Sequence, residues 1–256
     1  MKKVPLSSRI IIMKPRNNEF YIETFRLRTN DFDKFDHLTP FAIMDLFQDV
    51  AGTHAGKIGM GFQELLKKDL IWVLLRTKYE VLKYPPLYST VQVKTWPKPK
   101  GKVDFDREYE IYNEEGELLV KGISKWVIVN KTTRRLSLSR DINYNCDEYK
   151  YTNYNESFNK LEDFDIEGLS FKSQMTTFLD LDHNDHINNC NYAKYIINSI
   201  ELNEDDLIKK FEINYIKEVH QDTIIKNYYK KDGKIIYVKG IINNDEVSYI
   251  AKIELI

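Results

Sequence analysis

Apolar side chains at Ile43, Met44, Phe47, Val50, Ala51, His54, Ala55 and Ile58 recur in steps of three and four. That period belongs to a helix turning one face to a core. Thr39 stands ahead of it as an N-cap and Pro40 suits the first helical position. Gly59 and Gly61 supply a stop. His54 lies on the apolar stripe and is expected to be a hydrogen-bonded core residue. A second stripe, Tyr192, Ala193, Ile196, Ile197 and Ile200, follows Asn189 as its cap. Around both helices the pattern changes to strand type. In the first half, strands are predicted at residues 20–28, 70–84, 89–97, 103–112 and 118–130. In the second half they are predicted at 171–179, 209–219, 223–230, 234–242 and 246–255. Turns are read at Asn113-Glu114-Glu115-Gly116, Asp232-Gly233 and Asn243-Asn244.

The two halves are copies of one another. Residues 31–40 read DFDKFDHLTP and residues 180–189 read DLDHNDHINN. Asp31 aligns with Asp180, Asp33 with Asp182, Asp36 with Asp185 and His37 with His186, all at one constant offset. Each copy is preceded by a strand and followed by a helix and four more strands. The sheet can then wrap the helix, burying both apolar faces. The predicted class is α+β. Each half is a long helix wrapped by a mostly antiparallel sheet of five to six strands. The boundaries are 19–138, a linker at 139–170 rich in Asn, Asp, Tyr and Glu, and 171–256.

Composition narrows the function. The chain has 256 residues, 42% of them apolar, with 17 Tyr, 13 Phe and 3 Trp. Thirty-eight basic and 39 acidic residues give a net charge of −1, which argues against a nucleic-acid binder. The apolar run at 70–75 is far below the ~20 residues of a membrane span. Lys2 and Lys3 precede an apolar stretch at 10–13 that is too short for a signal-peptide core. Cys146 and Cys190 make no disulfide framework, so a reduced, cytoplasmic location is expected. No CxxC, HExxH, Gly-rich phosphate loop or GxSxG element occurs, so no metal or cofactor is expected.

The two copies differ where chemistry is concerned. Asp182, Asn184 and His186 alternate, and in an extended segment such side chains share one side. The first copy keeps Asp33 and His37 but has Phe35 opposite Asn184. Backbone N–H groups near Asn189 and Cys190, at the helix start, would face a developing negative charge. Carboxylate, carboxamide and imidazole beside such donors suit hydrolysis of an activated acyl group. Satisfying turn and cap hydrogen bonds is the alternative use of the same residues.

DLDHNDHINNCNY followed by FEINYIKEVHQD resembles the second half of the acyl-ACP thioesterases of plants and bacteria. FDKFDHLTP, WVLLRTKYEVLKYPP and VKTWPKPKGKVDFDREYEIY resemble the first half. The resemblance spans residues 20–256 and implies a tandem hotdog fold. It also implies hydrolysis of the thioester between a fatty acyl chain and acyl carrier protein. It assigns catalysis to Asp182, Asn184, His186 and Glu218. Plant members carry a cysteine where this chain has Val219, so a thiol mechanism would need Cys190 instead. Water activated by a carboxylate, or direct carboxylate attack, is preferred, with Asp182 and Glu218 both open as the acting group.

By the same resemblance the first half shapes the acyl tunnel, with Ile43, Met44, Phe47, Val50, Trp72 and Leu74 as candidate lining. The acidic carrier calls for a basic surface, and Lys94, Lys98, Lys100 and Lys102 cluster, with Arg134 and Arg135 later. The competing readings are an acyl-CoA thioesterase of the same fold and a non-catalytic acyl-binding protein. The dehydratase motif HFPGxPxxPG is absent. A monomer or a homodimer is expected. His183 and His220 have no assigned partner.

Overall fold

Thr39 starts the first helix as its cap. Its hydroxyl accepts the Ala42 N–H at 3.1 Å, and Pro40 takes the first position of α1 (Pro40–Lys57). The stripe from Ile43 to His54 is buried, and Gly59 ends the helix in the left-handed region at φ 73°. Gly61, expected as part of that stop, instead begins a short second helix, α2 (Phe62–Leu66). The computed structural model describes residues 19–142, 149, 151–154, 158–243 and 245–256. Lys2, Lys3, residues 10–13, Cys146 and Asn244 lie outside the described residues.

The first half contributes β1 (Tyr21–Arg26), β2 (Leu70–Val81), β3 (Thr90–Pro97), β4 (Asp104–Tyr112) and β5 (Leu118–Asn130). The second contributes β6 (Phe171–Met175), helix α3 (Asn191–Ser199), β7 (Ile208–Tyr215), β8 (Ile224–Asp232), β9 (Ile235–Ile242) and β10 (Glu246–Leu255). All ten strands form one antiparallel sheet, ordered β1-β3-β4-β5-β2-β7-β10-β9-β8-β6. From either end the order reads alike to the β2–β7 seam, as a tandem hotdog requires. That seam covers two strand edges that would otherwise expose unpaired backbone groups. Tyr79 and Phe211 stack across it at 5.5 Å. Within the first half Phe47 of α1 stacks on Tyr109 at 4.3 Å. A Cβ at Gly122 would lie 2.4 Å from the Phe47 ring, so only glycine lets β5 pass beneath it.

The repeat is written in hydrogen bonds as well as letters. Asp31 Oδ2 accepts the Arg28 N–H at 2.6 Å, and Asp180 Oδ2 accepts the Thr177 N–H at 2.7 Å. The Thr39 N–H reaches Asp31 O at 2.9 Å, as the Asn188 N–H reaches Asp180 O at 2.8 Å. Asp36 and Asp185 both sit in the left-handed region, at φ 63° and 65°.

Several expectations are corrected. The strand predicted to run to residue 179 stops at Met175, because Asp180 captures Thr177 and turns Phe178–Asp180 into a 3-10 helix. The strand predicted to reach residue 219 stops at Tyr215. The Ile216 and Lys217 N–H groups both turn to Ser248 O, which lifts Glu218 off the ladder into a loop. Asn189 is not the cap of α3: Cys190 holds that position without a side-chain bond, and the helix has only nine residues. The described part of the linker crosses the outer sheet face. Trp96 Nε1 donates to Tyr151 O at 3.1 Å, Arg76 to Phe158 O at 3.0 Å, and the Leu161 N–H to Asn214 Oδ1 at 2.6 Å.

Candidate active site

Residues 182–186 are not extended. Asp182 Oδ1 accepts the Asn184 N–H at 2.7 Å, and the Asp182 N–H reaches His186 O at 2.8 Å, closing a tight Asx turn. The alternation argument therefore fails as geometry, yet the turn brings the same three side chains to one groove. Asp182, Asn184, His186 and Glu218 line this groove, of about 440 Å³, with Trp72, Leu74, Tyr192 and Arg134. A narrower cavity of about 220 Å³ runs between α1 and the first-half sheet. Ile71, Trp72, Asp182, Asn184 and Asn189 line both, so the two voids meet at the turn. The cavity alone falls below the ~300 Å³ at which small-molecule pockets begin. Joined to the groove, it fits a long ligand.

Much of the cavity wall is apolar, with Gln48, Asp106, Arg107 and the 182–184 turn as its polar part. The Trp72 indole N–H donates to Met60 O at 2.8 Å and that of Trp126 to Ser124 Oγ at 2.7 Å. With those donors satisfied, the rings present apolar surface beside Phe105, Phe62 and Leu65. The α1 face on this cavity is Gln48, Ala51, Gly52 and Ala55. Ala51, Gly52 and Ala55 are small residues at helical spacing, and they leave the room.

At the groove, His186 Nε2 lies 3.2 Å from Glu218 Oε2. A carboxylate only accepts, so a hydrogen bond across this gap would put the proton on Nε2. Burial pushes the His186 imidazolium pKa below its ordinary 6.5, against the opposing pull of Glu218; His220 lowers it further, Asp182 raises it and Arg134 lowers it. The ring is thus neutral at pH 7. Arg134 donates to both oxygens of Glu218, and it comes from the first half. Asp182 Oδ2 has no hydrogen-bond partner among the described residues, and Asn184 Oδ1 is buried without one.

The donors at the α3 start are also redistributed. The Cys190 N–H is taken by Asn188 Oδ1 at 3.0 Å, which removes it from the expected oxyanion pair. The Asn189 N–H has no acceptor among the described residues. The aligned residue of the first copy is Pro40, which has no N–H at all.

Residues 18–143 match the acyl-ACP thioesterase N-terminal domain and residues 165–255 the C-terminal domain of that family. The chain belongs to the acyl-ACP thioesterase family. A chloroplastic acyl-[acyl-carrier-protein] hydrolase of Cuphea viscosissima is 30% identical over 74% of this chain and 50% of its own length. The chain spans about half the length of such curated relatives. The 12:0-ACP thioesterase of Umbellularia californica shares the fold with a TM-score of 0.82, at 23% identity over 93% of this chain and 97% of its own. An acyl-ACP thioesterase of Bacteroides thetaiotaomicron does so with a TM-score of 0.81, at 23% identity over 93% and 98%.

Within this thioesterase-family chain the other expected site residues scatter. Trp72 and Leu74 line the groove, Met44 and Phe47 only a small void of about 20 Å³, and Ile43 and Val50 are core rather than wall. Lys94 and Lys98 face inward, which corrects their expected part in a docking surface. Lys94 Nζ donates to Tyr149 OH at 2.8 Å within a cage of aromatic rings, and Lys98 pairs with the fully buried Glu108 at 2.6 Å. Lys100 and Lys102 remain exposed. Cys190 is 2% exposed, and burial, assisted by Asp45, drives its thiol pKa well above the ordinary range, which removes it as a nucleophile. His54 is buried against Arg107, with Nδ1 at 3.1 Å from the guanidinium. The His183 ring packs on Phe62 at 3.8 Å, and His220 stands 4.7 Å from the His186 ring.

Among the described residues no group of His, Cys, Asp and Glu is arranged to hold a metal ion, and no helix is long and apolar enough to cross a membrane. The small-residue face of α1 was readable from Ala51, Gly52 and Ala55 at helical spacing. The role of Arg134 against Glu218 has no local sequence signal.

Proposed function

We propose that this family member hydrolyses the thioester of fatty acyl-acyl carrier protein and releases the free acid. The observation that carries the reading is the junction at Asp182 and Asn184, where an aromatic cavity meets a polar groove. The acyl chain lies in the cavity and the carrier's thioester arm in the groove. Water at the junction, beside Asn184, gives its proton to Asp182 Oδ2, while its oxygen attacks the carbonyl carbon. The Asn189 N–H receives the oxyanion; as this collapses the C–S bond breaks and the sulfur takes the proton back from Asp182, leaving as the thiol. His186, neutral and held by Glu218, orients the thioester. Base assistance contributes roughly 10²–10⁴ in rate and one oxyanion donor about 10²–10³.

Glu218 is the less suited of the two carboxylates to act as base. Both its oxygens are engaged by Arg134 and His186 stands 3.2 Å away, whereas Asp182 Oδ2 has no hydrogen-bond partner among the described residues. The exposed Lys100 and Lys102 are the proposed contacts for an acidic carrier. The domain boundaries at 138 and 171 stand within this proposal as the limits of the tunnel half and the catalytic half. So does a cytoplasmic setting, supported by the unpaired Cys190 thiol; the curated relatives are chloroplastic by name. A monomer is supported by the shared β2–β7 seam, with the β1 and β6 edges left for a homodimer.

Free fatty acid released from acyl-ACP of graded chain length tests the reading, with acyl-CoA of the same lengths in parallel. Turnover of acyl-ACP in preference to acyl-CoA supports it. Preference for acyl-CoA replaces the carrier, and binding without release makes the protein an acyl-binding module.

A further inference from the structure

Besides the apolar lining of Trp72 and Leu74, the first half of the chain brings a charged side chain, Arg134, to the site of the second. Arg134 sits at the tip of the turn after β5, where its N–H reaches Asn130 O at 2.9 Å and Asn130 Oδ1 accepts the Thr133 N–H at 2.7 Å. The turn forces Arg134 to φ 58°, a region that favours glycine or asparagine over a long side chain. An arginine held there indicates a task for its side chain rather than for the turn. Its guanidinium meets both oxygens of Glu218, and Glu218 meets His186 at 3.2 Å. The side chains of the pair are 48% and 34% exposed, so as a surface ion pair it adds little to folding. Its worth lies in direction: one guanidinium nitrogen, Nη2, meets both carboxylate oxygens at once and so keeps the carboxylate turned toward Arg134.

We propose that Arg134 is a positioning residue for hydrolysis, supplied by the first half to hold Glu218, and through it His186, in working orientation. The proposal rests on the reading of Glu218 as part of the hydrolytic site. It separates Arg134 from carrier docking, the role its charge alone suggested. Loss of this contact lets Glu218 rotate, and a misplacement of about 1 Å in such a constellation costs on the order of 10²-fold.

The test compares Arg134→Gly, Arg134→Lys, Glu218→Gln and the double variant Arg134→Gly/Glu218→Gln on acyl-ACP and acyl-CoA. Glycine suits the backbone at this position, so Arg134→Gly keeps the wild-type Tm. Its kcat falls about tenfold to a hundredfold with both thioesters, with KM nearly unchanged. Arg134→Lys recovers part of the loss, and the double variant is no slower than Glu218→Gln alone. Unchanged kcat with a raised KM for acyl-ACP only makes Arg134 a docking residue and overturns the proposal. A lowered Tm that accounts for the lost activity assigns it to folding and overturns it equally. Normal turnover by Glu218→Gln is a separate failure: it removes Glu218 from the site, and the proposal with it.

Discussion

His186 Nε2 stands 3.2 Å from Glu218 Oε2, and at the equivalent place in the first half His37 meets Tyr84, with ring centroids 5.6 Å apart. The equivalence follows from the backbone. The Leu82 and Lys83 N–H groups share Leu119 O just as those of Ile216 and Lys217 share Ser248 O, and Tyr84 and Glu218 come next. One scaffold therefore carries an imidazole–carboxylate pair in one copy and an imidazole–phenol contact in the other. The Tyr84 hydroxyl is committed to Ile208 O at 2.8 Å, which ties the halves together instead of serving a site.

The depressed pKa of His186 gives a pH prediction. Its proton is disfavoured in the folded protein, so the unfolded chain binds more protons between the folded pKa and 6.5. Stability from this group is fully present above pH 6.5 and is lost as pH falls through the folded value. If orientation of the thioester uses the neutral ring, kcat/KM is level above pH 6.5 and its acid limb lies below that pH. His186→Gln abolishes that limb. A wild-type limb centred above 6.5 contradicts the burial argument.

Asn189→Pro copies Pro40 of the first repeat and deletes one N–H. Loss of that donor lowers kcat by about 10²–10³ with KM little changed. Circular dichroism and Tm report whether α3 still forms. A folded variant with full kcat removes the Asn189 N–H from the mechanism.

Gly52 borders the cavity, and a Cβ there meets no atom within 4 Å. Gly52→Leu fills that space and improves helix propensity by roughly 0.8–1 kcal/mol. The expected outcome is an equal or higher Tm with hydrolysis shifted toward shorter acyl chains. An unchanged chain-length profile places the acyl chain elsewhere.

Cys190→Ser removes a buried thiol whose Sγ lies 3.6 Å from Gln48 Oε1. Turnover within about twofold of wild type is expected, because burial keeps this group protonated. A collapse of kcat in a folded variant restores the thiolate mechanism.

The sequence carried the repeat, the helix stripes and the succession of elements along each half, because all three are local patterns of period, cap and turn; the order of strands in the sheet is not local. Ends were less legible where side chains compete with the ladder: Asp180 shortened β6, and the double acceptance by Ser248 O shortened β7. The four site residues were named from motif likeness, while the spacing argument for three of them assumed an extended segment that is a turn. Lys94 and Lys98 looked like a solvated basic run because β3 alternates, and their buried partners Glu108 and Glu110 lie on another strand. The contact of Arg134 with Glu218 was illegible for the same reason, since its partner lies in the other half of the chain.

Asp182 and Asp33 occupy the same turn in the two copies. In each copy Oδ1 accepts turn N–H groups, at 2.8 and 3.0 Å for Asp33 and 2.7 Å for Asp182; Asp33 Oδ2 stands 3.7 Å from His37 Nδ1, whereas Asp182 borders both the cavity and the groove. The decisive measurement is kcat/KM on acyl-ACP for Asp182→Asn beside Asp33→Asn. The account predicts a loss on the order of 10²-fold or more for the first and less than about threefold for the second. Equal activity in the two variants contradicts it.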